Sequence, residues 1–305
     1  MTSESKGGAP MLRTGFIGLG AMGAPMARNL HEAGYLGGLW NRTPAKAQAL
    51  SAETGVAAAE GPADLARDCR IIITCVSADA DLKGVVQDLL PGLQAGAVVV
   101  DTSTVRPDTA RAVGAQVEAA GGAFLDAPVS GGVEGARRGT LAMMVGGEAS
   151  ALDAVRPVLE AMAARIEHMG PTGAGQSTKA VNQVMVAGIN QAVTEALAFA
   201  EALGLPLDRL IDLLGGGAAG NWFLDHRGPT MVKGQFDPGF KVQLHRKDLE
   251  ICQAMAADLE VSLPMVEMTL VHYRRLMEGG HGDEDISALF REKQRLFGPD
   301  RPKRP

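Results

Sequence analysis

Lys179 is the residue of this sequence whose type and setting best suit acid–base chemistry. It follows the glycine-rich run Gly173-Ala174-Gly175 and lies three residues before Asn182, so both side chains fall on one face of a predicted helix. A lysine ammonium supplies a proton and a positive charge to an oxygen on which negative charge develops. The alternative interpretation is a lysine whose stem lies along an apolar helix with its ammonium in solvent. The glycines and Asn182 favour the catalytic interpretation.

A glycine-rich turn near the N-terminus predicts a nucleotide site. Residues 16–23 read Phe-Ile-Gly-Leu-Gly-Ala-Met-Gly, a G-x-G-x-x-G pattern between a predicted strand and a predicted helix. In this pattern the first glycine permits a tight turn, the second lets the backbone approach a pyrophosphate, and the third allows close helix–sheet packing. A purely structural glycine turn is the weaker alternative, because both flanking elements are present. The predicted dinucleotide contacts are Gly18, Leu19, Gly20, Ala21, Met22 and Gly23.

The end of the next predicted strand is where a dinucleotide-binding protein reads the adenosine ribose. An acidic residue commonly binds the ribose 2′-OH of NAD there, but this chain has Asn41, Arg42 and Thr43. Arg42 can pair with a 2′-phosphate through its planar fork, and its neighbours can add hydrogen bonds. A solvated turn, in which Thr43 caps the helix beginning at Pro44, is the alternative. The segment therefore favours NADP over NAD, with NAD still possible.

Two further segments carry polar groups suited to a small ligand. In the run Asp-Ala-Pro-Val-Ser-Gly-Gly at residues 126–132, the hydroxyl of Ser130 and the backbone N–H groups of Gly131 and Gly132 can form an anion nest. The second segment is Lys-Asp-Leu at residues 247–249, of which Lys247 is the functional candidate. The six histidines show no metal-binding spacing, so no metal site is expected.

The elements that must position these residues alternate in the first half of the chain. Apolar runs predict strands at residues 16–19, 38–40, 71–76, 98–101, 124–126 and 142–145. Amphipathic stretches predict helices at residues 22–33, 44–53, 82–90, 107–120 and 149–163. Because the strands are continuous apolar runs, both faces of the sheet should be covered. The fold class is therefore α/β, with an N-terminal Rossmann-type doubly wound domain.

The pattern changes in the glycine-rich stretch at residues 170–175. Beyond it the sequence predicts a long interdomain helix over residues 176–203 and further helices at 207–214, 248–259, 265–278 and 286–295. We expect a dinucleotide-binding domain at residues 12–172 and an all-α C-terminal domain for substrate and oligomerisation at 173–297. Disordered tails are expected at residues 1–11 and 298–305.

Composition narrows the class of protein and of partner. Of the 305 residues 46% are hydrophobic and 21% charged, which is globular, and the net charge of -6 gives no reason to expect nucleic acid. No run is long enough to predict a membrane span, and the three cysteines form no C-x-x-C pair, so a reducing cytoplasm is expected. The long helix carries more apolar surface than a small domain hides, so a homodimer or homotetramer is expected.

The motifs together resemble those of the β-hydroxyacid dehydrogenase family, over residues 12–297. They are G-L-G-x-M-G-x-x-M-A-x-N-L at residues 18–30, D-A-P-V-S-G-G at 126–132, G-x-G-x-x-x-K at 173–179 and K-D-L at 247–249. The chain is especially similar to the tartronate semialdehyde reductase, 3-hydroxyisobutyrate dehydrogenase and glyoxylate/succinic semialdehyde reductase branches. Many members have two asparagines after the lysine. Here Asn182 is followed by Gln183, as in the semialdehyde reductases.

The resemblance implies a role for each candidate. Lys179 would be the catalytic lysine and Asn182 would position the hydroxyl or carbonyl of the substrate. The carboxylate of a small substrate would be held by Ser130, Gly131 and Gly132. Further cofactor contacts are expected at Val76, Ser77, Ser103 and Thr104, with Lys247 near the nicotinamide.

These observations support an NADP-preferring oxidoreductase that interconverts a short β-hydroxyacid and its semialdehyde. The alternative enzyme is an NAD-dependent 3-hydroxyisobutyrate or serine dehydrogenase. A different class, a non-catalytic dinucleotide-binding assembly module, would be expected to lose the lysine, which this chain keeps.

Overall fold

A computed structural model of the chain describes residues 12–298. The chain divides into two compact units, Met1–Lys179 and Ala180–Pro305. This division falls after Lys179, whereas the sequence placed the boundary after residue 172. The tails predicted at residues 1–11 and 298–305 lie outside the described residues, apart from Gly298.

The first unit is built on a mixed eight-stranded sheet with the order β2-β1-β3-β4-β5-β7-β6, and β8 pairs with β7. Strands β1 to β5 are parallel neighbours, while β7 runs antiparallel to both β5 and β6. The strands are β1 Thr14–Ile17, β2 Leu36–Trp40, β3 Ile71–Thr74, β4 Val98–Asp101, β5 Ala123–Asp126, β6 Val129–Ser130, β7 Leu141–Gly147 and β8 Ala163–Gly170.

Helices cover both faces of this sheet. Adjacent residues of one strand enter different cores: Phe16 packs in the cluster with Met26 of α1, and Ile17 packs in the cluster with Leu82 of α4. The helices are α1 Gly23–Glu32, α2 Pro44–Thr54, α3 Pro62–Asp68, α4 Asp79–Leu89, α5 Pro107–Ala119, α6 Gly132–Arg138 and α7 Ala149–Leu159, with a 3₁₀ turn at Leu90–Gly92. The predicted doubly wound class is confirmed.

The sequence analysis missed four elements of this unit: the short elements α3, α6 and β6, and the eight-residue strand β8. The helix predicted over residues 149–163 ends at Leu159, and Ala163 already belongs to β8. Met162 and Ala163 are buried, so they continued an apolar pattern that the backbone does not follow. The strands predicted to run on to residues 19 and 76 end at Ile17 and Thr74. In both cases the apolar run passes from the strand into the following loop.

The described part of the second unit consists of helices and loops. The long helix α8, Ala174–Ala202, begins in the first unit and continues into this one. The core contains Leu197, Phe223, Leu249, Tyr273 and Phe290. The remaining helices are α9 Leu207–Gly215, α10 Trp222–Met231, α11 Val242–Asp258, α12 Pro264–Glu278 and α13 Leu289–Arg295, with a 3₁₀ turn at Ile286–Ala288.

Two helices of this unit differ from the sequence prediction. Helix α10 was missed, because Pro229 lies inside it and its apolar residues do not repeat at helical spacing. Helix α11 begins at Val242, before the predicted start at residue 248. Among the described residues, no helix combines the length and the apolar character needed to cross a bilayer.

Candidate active site

The glycine turn after β1 has the backbone that a pyrophosphate site requires. Gly18 has φ +95°, and a Cβ there would collide with the carbonyl oxygen of Cys75. A Cβ at Gly23 would collide with the carbonyl oxygen of Gly18. A Cβ at Gly20 would meet nothing within 4 Å. Two glycines are thus needed to close the turn, and the third leaves an open surface above it.

The first turn of α1 lies directly behind this open surface. Met22 is at the N-cap of the helix and makes no side-chain capping bond. The N-terminus of a helix presents backbone N–H groups and a partial positive charge to an anion. The residues of the turn therefore fit the pyrophosphate of a dinucleotide. Leu19 is buried, Ala21 is exposed, and Gly18, Gly20 and Met22 are partly exposed.

Asn41, just after β2, binds this turn through a side-chain hydrogen bond. Its Oδ1 accepts a hydrogen bond of 2.8 Å from the backbone N–H of Leu19, and its Nδ2 donates to the carbonyl of Thr43 at 2.9 Å. Asn41 therefore has a structural role that the sequence did not indicate. Thr43 occupies the N-cap position of the helix that begins at Pro44, as expected, but its side chain makes no capping hydrogen bond.

Arg42 is the exposed charge at this end of the sheet. Its side chain is 78% exposed and forms an ion pair with Asp81, in the first turn of α4. A guanidinium in this position is accessible to a ligand. Asp81 was not among the predicted site residues, because nothing in the sequence relates it to Arg42, 39 positions away.

Ser103 is a structural link between two strand ends. Its hydroxyl donates to Asp101 Oδ1 at 2.6 Å and accepts from the backbone N–H of Val76 at 2.8 Å. Ser103 is buried, so its hydroxyl fixes the loop after β3 against the end of β4. Thr104 is partly exposed and Ser77 exposed, so these two predicted contacts lie nearer the surface.

Asp101 is a fully buried carboxylate at the end of β4. Burial raises its pKa to about 6, opposed by hydrogen bonds from the hydroxyls of Ser103 and Thr74. Its Oδ2 is buried and has no hydrogen-bond partner among the described atoms. The hydroxyls around Asp101 thus stabilise a charge that burial disfavours.

Asp126, at the end of β5, caps the start of α8. Its two carboxylate oxygens accept the backbone N–H groups of Gly173, at 2.7 Å, and Gln176, at 2.8 Å. Burial raises the pKa of Asp126, while these backbone donors oppose the shift. A carboxylate at a helix N-terminus satisfies N–H groups that the helix leaves unpaired.

Gln176, in the first turn of the same helix, forms hydrogen bonds with the backbone that follows β4. Its Nε2 donates to the carbonyl of Ser103 at 2.8 Å, and its Oε1 accepts from the backbone N–H of Val105 at 3.2 Å. The sequence analysis assigned no role to Asp126 or Gln176. The available signal was an aspartate that ends an apolar strand and opens the Asp-Ala-Pro motif.

The structure brings Lys179 to the turn that was predicted to bind an anion. The Lys179 Nζ donates to the carbonyl oxygen of Val129 at 2.9 Å, beside Ser130. Lys179 is only 7% exposed, so the interpretation of a lysine with its ammonium in solvent is wrong. Gly131 and Gly132 follow with φ of +131° and +63°, a sharp turn that side chains would strain. A buried ammonium and a sharp glycine turn therefore lie together.

In the second unit, Asn182 is part of a hydrogen-bond network of polar side chains. Its Nδ2 donates to Gln183 Oε1 at 2.7 Å, and Gln183 Nε2 donates to Asp248 Oδ2 at 2.7 Å. Lys247 Nζ lies 3.1 Å from Asp248 Oδ1. The buried Gln183, whose role the sequence left open, thus links the amide of Asn182 to the Lys247–Asp248 pair. In residues 12–298, no group of three or more His, Cys, Asp or Glu side chains could hold a metal ion.

Comparison with known families matches this arrangement over most of the chain. The sequence profile of the NAD binding domain of 6-phosphogluconate dehydrogenase matches residues 13–170. A second profile, NAD-binding of NADP-dependent 3-hydroxyisobutyrate dehydrogenase, matches residues 173–292. The chain belongs to the β-hydroxyacid dehydrogenase family.

Individual relatives agree with this family. The chain is 37% identical to the NAD-dependent L-serine dehydrogenase of Pseudomonas aeruginosa, over 95% of this chain and 99% of the relative. It is 36% identical to the 2-hydroxy-3-oxopropionate reductase of Escherichia coli, over 91% and 96% respectively. Its structure is similar to that of Mycobacterium tuberculosis 3-hydroxyisobutyrate dehydrogenase with L-serine. The TM-score is 0.84 at 35% identity, covering 92% of this chain and 99% of the other.

The predicted family and enzyme class are therefore confirmed. This β-hydroxyacid dehydrogenase is an NAD(P)-dependent oxidoreductase with a nicotinamide dinucleotide cofactor. The open surface at Gly20 and the N-terminus of α1 fit that cofactor. The comparisons do not support the class of a non-catalytic assembly module.

Proposed function

We propose that this enzyme reduces short semialdehydes that carry a carboxylate, with a preference for NADPH, and oxidises the corresponding β-hydroxyacids in reverse. The hydrogen bond from Lys179 Nζ to the Val129 carbonyl carries the proposal. This bond places the ammonium of Lys179 at Val129, the residue before Ser130, where the predicted anion-binding turn begins. One substrate with a carboxylate and a nearby aldehyde satisfies both groups.

Each group of the chain has one task in this reaction. When bound, the nicotinamide supplies hydride for reduction and accepts it in oxidation. Lys179 donates a proton to the carbonyl oxygen as negative charge develops on it, so the aldehyde becomes an alcohol with no charged oxygen left. In oxidation, neutral Lys179 takes the hydroxyl proton back.

The substrate is held by groups beside Lys179. The hydroxyl of Ser130 and the N–H groups of Gly131 and Gly132 bind its carboxylate, and this fixes the distance to the aldehyde. The role expected of Asn182, to position the reacting oxygen with its amide, stays a prediction. Gln183 and Asp248 hold that amide in one orientation. The role predicted for Lys247 stays a prediction.

The preference for NADPH is proposed from Arg42. The strand β2 ends without the carboxylate that commonly binds the ribose of NAD, and Arg42 is exposed where a 2′-phosphate would lie. One relative is named a 2-hydroxy-3-oxopropionate reductase, and 2-hydroxy-3-oxopropionate is a short semialdehyde with a carboxylate, as in the proposed class.

A second candidate is NAD-dependent oxidation of L-serine or 3-hydroxyisobutyrate. It is favoured by the name of the P. aeruginosa relative and by the L-serine in the M. tuberculosis structure. Both candidates use the same lysine and the same carboxylate turn. They differ in the cofactor and in the group beyond the reacting carbon.

A steady-state assay of the purified enzyme separates the two candidates. Tartronate and succinic semialdehydes are assayed with NADPH and NADH, L-serine and 3-hydroxyisobutyrate with NADP⁺ and NAD⁺, and propanal as an uncharged aldehyde. We expect the highest kcat/KM for a semialdehyde with NADPH, at least about tenfold above NADH, which corresponds to about 1.4 kcal/mol. A highest kcat/KM for L-serine with NAD⁺ would establish the second candidate. Equal rates on propanal would contradict the carboxylate turn.

We further propose that the enzyme is a homo-oligomer of the cytoplasm. Val181 and Met185 of α8 are each 62% exposed, and Ile189 and Phe199 continue an apolar stripe along the same helix. Closed symmetric dimers of identical chains are the commonest way to cover such a surface. A cytoplasmic location rests on the cysteines, which form no disulfide.

A further inference from the structure

The ion pair between Arg42 and Asp81 reaches across the glycine turn. Strand β1 lies between β2 and β3 in the sheet, and all three are parallel. Arg42 follows the end of β2, whereas Asp81 follows the end of β3. The carboxyl ends of parallel strands meet at one edge of the sheet, so the glycine turn after β1 lies between the two charged residues.

Backbone contacts fix both flanks of that turn. The N–H of Gly18 donates to the carbonyl of Trp40 at 3.0 Å, and the N–H of Cys75 donates to the carbonyl of Ile17 at 2.9 Å. The segments that carry the two charges are therefore anchored to the turn. Asp81 is the more buried partner, with a side chain 22% exposed against 78% for Arg42.

We propose that Asp81 is a specificity-determining residue for the cofactor, which limits the preference for NADPH through its ion pair with Arg42. The inference rests on the proposed role of Arg42 at the adenosine ribose. A 2′-phosphate carries nearly two negative charges, so it competes with the Asp81 carboxylate for the Arg42 guanidinium. NADH has no such phosphate and is not subject to this competition.

The same carboxylate has the opposite effect on NADH. An acidic side chain at this edge of the sheet can accept a hydrogen bond from a ribose hydroxyl. Asp81 thus supplies from the first turn of α4 a carboxylate of the kind that is missing at the end of β2. The ion pair between Arg42 and Asp81 therefore sets the affinity of the enzyme for NADPH relative to its affinity for NADH.

Direct titration of the reduced cofactors tests this proposal without any substrate. The Kd of NADPH and of NADH is measured by nicotinamide fluorescence for the wild type, Asp81→Asn, Arg42→Ala and the double variant. The matched control is Asp64→Asn, which removes the carboxylate of another exposed ion pair, with Arg67. We expect Asp81→Asn to tighten NADPH by threefold to tenfold, about 0.7–1.4 kcal/mol. The Kd of NADH should rise, because its ribose loses a charged acceptor, and Asp64→Asn should change neither Kd.

The double variant shows whether Asp81 acts through Arg42. Most of the gain for NADPH should disappear when Asp81→Asn is combined with Arg42→Ala. A parallel change in both Kd values, or an undiminished gain in the Arg42→Ala background, would overturn the proposal. A wild type that prefers NADH, with NADPH selectively tightened by Asp81→Asn, would support this inference and contradict the proposed preference for NADPH.

Discussion

The ammonium of Lys179 combines burial with a hydrogen bond to a backbone carbonyl. A charged group held away from water needs such partners, and its interaction with a developing negative charge is stronger there than in water. The same residue would be an ordinary surface cation if its helix began a few residues later. Chemistry at this residue therefore depends on where α8 starts.

The first prediction concerns the proton carried by Lys179. We expect Lys179→Ala to lower kcat by about 10²–10⁴-fold in stopped-flow assays, with the Kd of the cofactor nearly unchanged. Lys179→Arg should also be poor, because a guanidinium stays protonated and cannot cycle between acid and base. Lys46→Ala, which removes an exposed lysine of α2, is the matched control and should keep wild-type kcat.

The pH profile gives an independent test of the same residue. Oxidation needs neutral Lys179, so its rate should rise with pH through the ionisation of the lysine, whereas reduction should fall. The residual activity of Lys179→Ala should lack this pH dependence. A folded Lys179→Ala enzyme that retains most of its kcat would remove Lys179 from the mechanism.

At the scale of elements, the start of α8 is fixed by side chains from two neighbouring strand ends. Asp126 of β5 caps the helix, and Gln176 ties its first turn to the backbone after β4. One more turn along α8 places Lys179 at the carbonyl of Val129. Contacts from the ends of β4 and β5 thus fix the N-terminus of α8, and this sets the position of Lys179.

The second prediction concerns this helix cap. In Asp126→Asn the side-chain oxygen can accept from only one of the two N–H groups of Gly173 and Gln176, and the new NH₂ group faces the other donor. We expect the free energy of unfolding, measured by urea denaturation, to fall by about 1–3 kcal/mol. Asp153→Asn, which changes an exposed aspartate of α7, is the control and should stay within about 0.5 kcal/mol of wild type. Equal stability of the two variants would show that the cap contributes little.

At the scale of the whole molecule, helix α8 carries an exposed apolar stripe. The stripe, defined above by Val181, Met185, Ile189 and Phe199, lies in the second unit and is exposed to solvent. Exposed apolar surface of this extent on a helix marks an interaction site. A second copy of the chain is the proposed partner.

The third prediction is that charge on this stripe separates the subunits. The double variant Val181→Glu/Met185→Glu should run as a monomer in size-exclusion chromatography with light scattering, whereas the wild type runs as a dimer or tetramer. Burying two carboxylates without partners in an interface costs several kcal/mol, enough to dissociate it. Leu213→Glu is the matched control, since Leu213 of α9 is 74% exposed but lies off the stripe. A monomeric wild type, or an unchanged mass in the double variant, would contradict the proposed interface.

The sequence by itself determined the fold class, the family and the enzyme class. Apolar runs and helical spacing are local signals, and they identified most strands and helices of both units. The turn of Gly18, Gly20 and Gly23 was recognisable because its spacing is fixed by backbone geometry. Short elements such as α3 and α6 were missed, since a few residues hold too little periodicity. Strand β8 was missed because most of its side chains are exposed, so it is not an apolar run.

Only the tertiary structure decided which polar groups meet. Val129 and Lys179 are 50 positions apart, Arg42 and Asp81 are 39 apart, and Gln183 and Asp248 are 65 apart. No local rule relates such pairs, because strand order and helix packing bring them together. The same side chains therefore acquired roles that their types alone did not reveal: Asp126 as a helix cap, Gln183 as a link, and Asp81 as the partner of Arg42. Residue type limits what a group can do, and its neighbours in space determine which of those roles it takes.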